Sequence, residues 1–361
     1  MAAAPDDERF MAAAIRLSRW NLGRTSTNPS VGCVIVRDGV IVGRGVTAEG
    51  GRPHAEPQAL ADAGEKARGA TAYVTLEPCS HHGKTPPCAE ALIASGVARV
   101  VVSVTDPDER VSGRGLRMLE AAGIEVESGI LEEEGRKALA GYLTRQTKAR
   151  PQVILKLAVS QDGMIGREVE GQVAITGPLA RAQVQMLRAE IDGILVGIGT
   201  ALADDPELTV RLPGLQQFSP TRIVLDRRLE LPLGSKLVKT ANEVPVICIS
   251  EPGDDDALSS RRDALRAAGV EVLQSEDLGA LLFALAARGI SSLLVEGGAH
   301  VAKSFLDLGL VDEVWLFRGD VVVGMGGIPS PVTPARLPPG FVLERSLAFG
   351  PDRLEIFRRP D

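Results

Sequence analysis

Residues 54–56 read HAE and residues 71–88 read TAYVTLEPCSHHGKTPPC, and these two stretches decide how the first part of the chain folds. The apolar, β-branched run 71–76 predicts a strand that delivers Cys79 at its carboxyl end. Helices are expected over about 54–67 and over 88–96, since Pro86-Pro87 suits the loop before the second one. The candidate ligands therefore lie at the ends of regular elements.

One imidazole, two thiolates and a spare carboxylate come together in this segment. A catalytic zinc ion takes three protein ligands and keeps its fourth position for water, and His54, Cys79 and Cys88 meet that count. Glu56 projects about 200° around a helix from His54, which suits a carboxylate that faces the water instead of the metal. Zinc nucleobase deaminases use H-x-E with a later pair of cysteines two residues apart, whereas eight residues separate the cysteines here.

Chance clustering explains this pattern poorly. Three of the four histidines and two of the four cysteines fall between positions 54 and 88. A closed structural zinc site, with His81 or His82 as fourth ligand, remains an alternative to the open catalytic site. Cys33 and Cys248 stand in apolar runs and are interpreted as small core residues.

Alternating strand and helix patterns continue on both sides of the ligand segment. Strands are predicted over 31–36 and 40–45, joined by an Arg-Asp-Gly hairpin turn, and over 99–104. A helix and a strand within 115–127 complete the pattern of an α/β layer sandwich.

The polar, basic stretch 144–151 ends in proline and marks the expected domain boundary, with one domain over 1–147 and another over 148–361. A second α/β pattern follows it. Its predicted strands are 153–158, 193–196, 221–225, 244–250, 270–273, 292–295 and 314–317, and its predicted helices are 178–189, 255–268 and 299–308.

Composition narrows the class of protein. A chain of 361 residues with 44% hydrophobic and 24% charged residues is long enough for two globular domains. A net charge of −7 argues against long DNA or RNA as the partner and favours a small molecule. No apolar run is long enough for a membrane span, no secretion signal is visible, and thiols spaced for metal suit the cytoplasm.

Glycine-rich and acidic turns follow the predicted strands of the second half. Residues 295–299, VEGGA, close a strand and open a helix, so their amides could approach a phosphate at the helix amino terminus. Polar clusters at 160–163, 197–200 and 204–211 lie at the same end of their strands, where ligands collect in open α/β sheets. Purely structural turns explain each of these clusters equally well.

Taken in order, these motifs resemble the bifunctional riboflavin-biosynthesis deaminase/reductase family over about residues 10 to 320. The deaminase side of the resemblance rests on TNPSVGCV at 27–34, HAE at 54–56, and 71–88, whose eight-residue cysteine spacing is that family's own. The reductase side rests on LKLA at 155–158, DDPELTVR at 204–211 and VEGG at 295–298, with shorter matches between them.

The resemblance implies a cytidine-deaminase-like three-layer sandwich followed by a dihydrofolate-reductase-like α/β domain, with Zn²⁺ and NADPH as cofactors and a homo-oligomeric assembly. It implies deamination of 2,5-diamino-6-ribosylamino-4(3H)-pyrimidinone 5′-phosphate and then reduction of the ribosyl side chain to ribityl. Position by position, it assigns the first substrate to Asn28, His81 and Lys84. It assigns NADPH to Ala158, Thr200, Asp204, Gly298, Ala299, His300, Val301, Ala302, Lys303 and Ser304, and the second substrate to Arg188, Leu208, Arg211 and Glu296.

Departures from the family pattern occur at three positions, where many relatives carry His, Trp and His and this chain has Thr47, Ala174 and Gln185. After position 317 the usual Ala-Pro segment is replaced by Arg-Gly-Asp, so no site is assigned in the last 40 residues. The proline-rich stretch 328–339 is expected to be a surface loop.

Two other classes of function compete with this interpretation. One is a nucleoside or tRNA deaminase with an unrelated second domain, against which the acidic charge and the motifs of the second half count. The other is a zinc-stabilised protein without turnover, against which the intact Glu56 counts. NADPH is expected to be preferred over NADH, because Arg227 and Arg228 follow a predicted strand where cations could meet a 2′-phosphate.

Overall fold

The computed structural model describes residues 5–83, 86–108, 112–168, 173–253, 256–334 and 336–360. The chain folds into two compact units, residues 1–150 and 151–361. The polar stretch expected as a linker is helical as far as Lys148, and the chain passes from one unit to the next after Arg150. The division therefore falls three residues beyond the expected boundary at 147/148.

Unit 1 has a five-stranded sheet in the order β2-β1-β3-β4-β5. β1 pairs antiparallel with β2 and β3, and β3, β4 and β5 run parallel. Its strands are β1 Gly32–Arg37, β2 Val40–Val46, β3 Thr71–Leu76, β4 Arg99–Val104 and β5 Glu125–Ser128. Its helices are α1 Pro5–Ser18, α2 Ala55–Ala63, α3 Cys88–Ser95, α4 Arg114–Ala121, α5 Glu132–Ala138 and α6 Ala140–Lys148.

Both faces of this sheet are buried. Side chains alternate between the two faces along β1, so neighbouring residues of this strand belong to different cores. Cys33 and Ile35 face the core that α2 and α3 cover, while Val34 and Val36 face the core that α1 covers. The expected three-layer α/β/α arrangement is confirmed, and the interpretation of Cys33 as a core residue agrees with its full burial.

Unit 2 is built on a nine-stranded sheet in the order β11-β10-β9-β8-β12-β6-β13-β16-β15. Its first seven strands run parallel to one another, β16 pairs antiparallel with β13, and β15 pairs antiparallel with β16. The strands are β6 Gln152–Val159, β8 Gly193–Gly197, β9 Thr221–Leu225, β10 Val246–Ser250, β11 Glu271–Gln274, β12 Ser292–Val295, β13 Glu313–Arg318, β15 Val342–Phe349 and β16 Asp352–Arg358. A separate pair contains β7 Met164–Arg167 and β14 Gly327–Pro329.

Helices cover both faces of the large sheet. Leu281 of α11 and Phe305 of α12 belong to one core, while Leu187 of α7 and Leu265 of α10 belong to the other. The helices are α7 Pro178–Ala189, α8 Ile198–Asp204, α9 Lys236–Lys239, α10 Asp256–Ala267, α11 Leu278–Ala287 and α12 Ala299–Asp307. No helix in the described ranges combines the length and apolarity that a bilayer crossing requires.

The last 40 residues contain structure that the sequence did not predict. Strands β15 and β16 form an antiparallel pair that extends the sheet beyond β13. The stretch 328–339 is not simply a surface loop, because Ile328 and Pro329 lie in β14 and Val332 is 1% exposed within the core. The prediction failed because proline density signals a loop without showing which of its side chains are buried.

Candidate metal centre and reductase cavity

The three predicted metal ligands converge in unit 1. Nδ1 of His54 lies 3.8 Å from Sγ of Cys79 and 3.4 Å from Sγ of Cys88, and the three ligand atoms all lie within 4.8 Å of one another. Tetrahedral zinc with bonds of about 2.0 and 2.3 Å places a nitrogen and a sulfur ligand about 3.6 Å apart. The donor types and their spacing therefore fit a zinc ion bound by His54, Cys79 and Cys88.

Two helix starts and one loop hold these ligands. His54 is the N-cap of α2, Cys88 is the first residue of α3, and Cys79 follows β3 in irregular backbone. The Cys88 amide donates to Sγ of Cys79 over 3.2 Å, and the Ala89 amide donates to the Cys79 carbonyl over 3.2 Å. The first turn of α3 thus fixes Cys79 from one side.

Glu56 is 3% exposed and lies in the first turn of α2 beside the ligand cluster. Burial raises its pKa, and the neighbouring Cys79 thiolate adds to that effect. A hydrogen bond from the Cys88 thiol lowers the pKa of Cys79, and burial opposes this shift. The cluster thus joins a soft ligand set to a buried carboxyl group that can hold a proton.

The positions assigned to the first substrate are only partly described. Asn28 donates from its side-chain amide to the Gly51 carbonyl over 2.8 Å. His81 is half-buried, and its Nδ1 has no hydrogen-bond partner among the described residues. His82 is exposed and lies 3.6 Å from Glu90, while Lys84 falls outside the described residues.

Thr47 fills the place where many relatives carry histidine. It is 1% exposed, and its Oγ1 accepts a hydrogen bond from the Val31 amide over 2.9 Å. Asn21 donates to the Thr47 carbonyl over 2.8 Å. In this chain the Thr47 side chain supports the backbone before β1.

Unit 2 contains a cavity of about 1420 Å³ along the carboxyl ends of its parallel strands. It extends from Lys156 on β6, across β12 and β8, to residues 275–277 beyond β11. Ligands of open α/β sheets bind at this edge. Most residues assigned to NADPH and to the second substrate line it: Ala158, Arg188, Thr200, Asp204, Leu208, Glu296, Gly298, Ala299, His300, Val301 and Ser304.

Three assigned residues lie outside the cavity lining. Ala302 of α12 is fully buried in the hydrophobic core on this face of the large sheet. Lys303 is exposed and forms an ion pair with Asp307 on the outside of the same helix. Arg211 is exposed, with its guanidinium 3.8 Å from Glu207. A run of consecutive helical residues cannot all face one ligand, which accounts for Ala302 and Lys303.

The glycines before α12 have different roles. A Cβ atom on Gly297 would lie 2.9 Å from Cβ of Val301, so close helix packing explains this glycine. The Gly298 amide donates to Oγ1 of Thr200 over 3.2 Å. The first residues of α12, Ala299 and His300, line the cavity, and the first amides of a helix have no acceptor within it, which fits a nucleotide phosphate.

A buried ion cluster stands at the β6 and β12 end of the cavity. Arg188 binds Glu296 through two hydrogen bonds of 2.8 and 3.1 Å, and Nζ of Lys156 lies 3.7 Å from the same carboxylate. Burial raises the pKa of Glu296, but Arg188 and Lys156 outweigh burial and lower it to about 2. Glu296 is therefore an anion that holds two cations in place.

Arg188 and Glu296 were predicted from the sequence as substrate-binding residues, whereas Lys156 had no predicted role. Lys156 lies on β6, two residues before Ala158, and lines the cavity. Its position in the LKLA motif was the available signal, because alternate residues of a strand share one face. Leu208, another assigned substrate residue, is buried with φ of 55°, a rare conformation for leucine that is often found at functional sites.

The far end of the cavity carries Arg227 and Arg228, both exposed, directly after Asp226 at the end of β9. Asp226 and Ser250 are each 1% exposed, and one side-chain oxygen of each has no hydrogen-bond partner among the described residues. Buried polar atoms without partners at a cavity wall suit contact with a polar ligand. This end thus offers cations and hydrogen-bonding groups.

The other two departures from the family pattern, Ala174 and Gln185, lie in unit 2 outside the cavity lining. Ala174 is exposed. Gln185 is half-buried, and its Oε1 accepts a hydrogen bond from the Arg211 amide over 2.7 Å. Gln185 thus holds the backbone of the segment that also contains Leu208.

The fold and the two sites define a class: a two-unit enzyme with a zinc deaminase unit and a reductase unit. Residues 4–104 match the family described as "Cytidine and deoxycytidylate deaminase zinc-binding region", and residues 151–354 match the family described as "RibD C-terminal domain". The chain belongs to the RibD family of riboflavin biosynthesis proteins, which are bifunctional deaminase/reductase enzymes that use zinc and NADPH.

Full-length relatives support this assignment. The chain is 41% identical to riboflavin biosynthesis protein RibD of Aquifex aeolicus, covering 89% of this chain and 88% of the relative. It is 42% identical to RibD of Escherichia coli, with 88% and 89% covered. The structure of Acinetobacter baumannii RibD superimposes with a TM-score of 0.88 at 37% identity, covering 99% of both chains.

A third solved relative carries a descriptive name. The Thermotoga maritima diaminohydroxyphosphoribosylaminopyrimidine deaminase/5-amino-6-(5-phosphoribosylamino)uracil reductase superimposes with a TM-score of 0.85 at 36% identity. The match covers 98% of this chain and 99% of the relative. Both halves of the chain therefore have counterparts in one relative.

Proposed function

We propose that unit 1 deaminates the diaminopyrimidine ribotide named for the Thermotoga maritima relative, and that unit 2 then reduces the ribosyl side chain of the product. The observation that carries this proposal is the coexistence of the His54, Cys79 and Cys88 cluster with the ion-lined cavity of unit 2. Each unit supplies its own set of chemical groups.

In the deaminase unit, His54, Cys79 and Cys88 would hold the metal. Zinc bound there supplies Lewis-acid activation of water. Glu56 would take a proton from water and pass it to the ring nitrogen and then to the departing ammonia, so that water replaces the amino group by oxygen. We assign Asn28, His81 and Lys84 to the base and phosphate of this substrate.

In the reductase unit, NADPH supplies the hydride. Ala158, Thr200, Asp204 and the first turn of α12 would hold the nucleotide. Arg188, Leu208 and Glu296 would hold the substrate. Arg211, which was also assigned to the substrate, lies outside the cavity lining. NADPH bound there would supply this hydride to the anomeric carbon of the ribosyl group; the bond between that carbon and the ring oxygen would break, and the ring oxygen would take up a proton. Lys156 would give this proton, which is supported by its position in the cavity lining and by Nζ lying 3.7 Å from the Glu296 carboxylate.

We also propose a cytoplasmic, homo-oligomeric enzyme that acts on small molecules and not on nucleic acid or membranes. The net charge of −7 disfavours polyphosphate partners, and all four cysteines are free thiols. Strand β15 is an outer strand of the large sheet and exposes Val342 and Leu343, which suits contact with a second copy. Light scattering of the purified chain tests the assembly.

One assay tests the proposed reactions. The purified chain is given the diaminopyrimidine ribotide with and without NADPH, while ammonia release and NADPH oxidation are followed separately. We expect ammonia in both cases, NADPH oxidation only after deamination, and about one zinc per chain in metal analysis. Absence of ammonia release from a zinc-loaded chain would contradict the deaminase assignment.

A further inference from the structure

Glu77 is a buried carboxylate next to the metal cluster that neither reaction uses. It is 3% exposed and stands between the end of β3 and the Pro78-Cys79 pair. Its Oε1 accepts a hydrogen bond from the Gly115 amide over 3.0 Å, and its Oε2 accepts one from the Gly113 amide over 2.9 Å. The Asp106 amide approaches Oε2 at 3.4 Å. The side chain thus joins the Cys79 segment to the backbone that enters α4.

The same contact is tight on the backbone side. A Cβ atom on Gly115 would lie 2.1 Å from the Pro78 carbonyl oxygen, so only glycine allows this approach. Asp106, which begins the connection from β4 to α4, is itself held by the Tyr142 hydroxyl at 3.0 and 3.1 Å. The anchor to which Glu77 binds is therefore fixed to the rest of unit 1.

Cys79 needs such an anchor more than the other two ligands do. His54 and Cys88 each stand at the start of a helix, whereas Cys79 lies in irregular backbone. The first turn of α3 holds Cys79 from its carboxyl side through the Cys88 and Ala89 amides. On the amino side of Cys79, the Glu77 carboxylate binds the backbone that enters α4.

We propose that Glu77 is a positioning residue for the metal centre, which holds Sγ of Cys79 at the correct distance from His54 and Cys88 before the metal binds. A pre-organised ligand set binds metal more tightly than one that must be ordered on binding, and groups behind the ligands typically contribute about 10- to 100-fold in metal affinity. This inference rests on the proposed ligand set.

The test compares zinc affinity in Glu77→Gln and Asp7→Asn, measured by competition with a chromophoric chelator on the full chain. Asp7 is a matched control: it is 3% exposed, lies near the opposite ends of β3 and β4, and binds Tyr73 and Arg99 there. We expect zinc affinity to fall about 10- to 100-fold in Glu77→Gln and to change less than about threefold in Asp7→Asn. NADPH oxidation with the deaminated substrate should be normal in both.

Two further measurements, on Gly115→Ala and on the cobalt-substituted protein, also test the role of Glu77. Gly115→Ala strains the same contact from the other side and should weaken zinc binding in the same direction. In the cobalt-substituted protein, the sulfur-to-metal charge-transfer band should change in Glu77→Gln but not in Asp7→Asn. Unchanged zinc affinity in Glu77→Gln, or an equal loss in Asp7→Asn, would overturn the role of Glu77. Failure of the unaltered chain to hold zinc would instead overturn the ligand set itself, and with it this inference.

Discussion

The metal cluster of unit 1 and the cavity of unit 2 are assembled from the chain in two different ways. Three side-chain ligands from positions 54 to 88 meet within 4.8 Å in unit 1. In unit 2 the cavity spans the ends of several parallel strands, and its ion cluster joins Lys156, Arg188 and Glu296. The metal cluster depends on three side chains from one short segment, so a change in any one of them should disrupt it. The cavity of unit 2 depends instead on residues from several strands and helices.

The largest effect should come from Glu56→Gln in the local site. Glutamine keeps the shape but cannot carry the proton, so ammonia release should fall by at least about 10²-fold while zinc is retained. Ammonia assays and metal analysis check this outcome. The exposed Glu65→Gln in the same unit serves as the control and should have no effect. Near-normal ammonia release in Glu56→Gln would remove the carboxylate from the reaction.

Arg188→Met should test how far unit 2 depends on its ion cluster. Removing this cation leaves Glu296 buried beside Lys156 alone, and breaking a buried pair costs roughly 3–5 kcal/mol of stability. Trp20 lies in unit 1 and is 67% exposed, so in a Trp20→Phe background the fluorescence of Trp315, the other tryptophan, reports unfolding of unit 2. Urea titration gives the free energy of unfolding.

The exposed arginine of the same unit is the matched control for that change. Arg211 pairs with Glu207 at the surface, where both side chains are about half exposed. Arg211→Met should therefore change the stability by less than about 1 kcal/mol. Equal losses in the two variants would mean that the Arg188–Glu296 pair has no special structural role.

Acid should weaken unit 2 through Glu296. Its pKa of about 2 in the folded state lies below the usual value for glutamate, so its contribution to stability is present above about pH 4.3 and is lost as the pH falls toward 2. In the same fluorescence assay, Glu296→Gln should lose stability less steeply than the unaltered chain between pH 4.3 and 2. Parallel curves would show that Glu296 is not held as an anion.

The smallest effect concerns nucleotide preference at the far end of the cavity. Replacing Arg227 and Arg228 together by alanine should reduce the preference for NADPH over NADH by about tenfold, since each cation can bind the 2′-phosphate. Ratios of kcat/KM measure this, and Arg181→Ala, an exposed change outside the cavity lining, is the control. Comparable kcat/KM for both nucleotides in the unaltered chain would refute the preference itself.

The sequence alone could predict features that depend on neighbouring residues better than features that depend on residues far apart. β3 and α3 were predicted within a residue of their ends, because alternating apolar residues and prolines mark them locally. The candidate ligands His54, Cys79 and Cys88 could be predicted because all three lie in one short segment of the sequence. The order of nine strands and the pairing of β13 with β16 depend on contacts between distant residues, which no local pattern encodes.

Sites formed by residues that are far apart in the sequence were harder to predict. Arg188 and Glu296 are 108 positions apart, so their pairing with each other, and with Lys156, could not be read from spacing. Residues 298–304 were predicted as one NADPH-binding block, but consecutive residues of a helix face different directions, and Ala302 and Lys303 lie outside the cavity lining. The exposed strand β15 lacks the apolar alternation of a half-buried strand, which is why the last strand pair was missed.

The central claim is that the two sites act separately, and a two-by-two assay tests it most directly. Cys79→Ser and Lys156→Met are each assayed with the diamino substrate for ammonia release, and with the deaminated ribosylamino compound for NADPH oxidation. Fold is checked in each variant, because loss of a metal can unfold a domain. We predict that Cys79→Ser loses only ammonia release and Lys156→Met loses only NADPH oxidation. Loss of both reactions in either well-folded variant would contradict the claim of two separate sites.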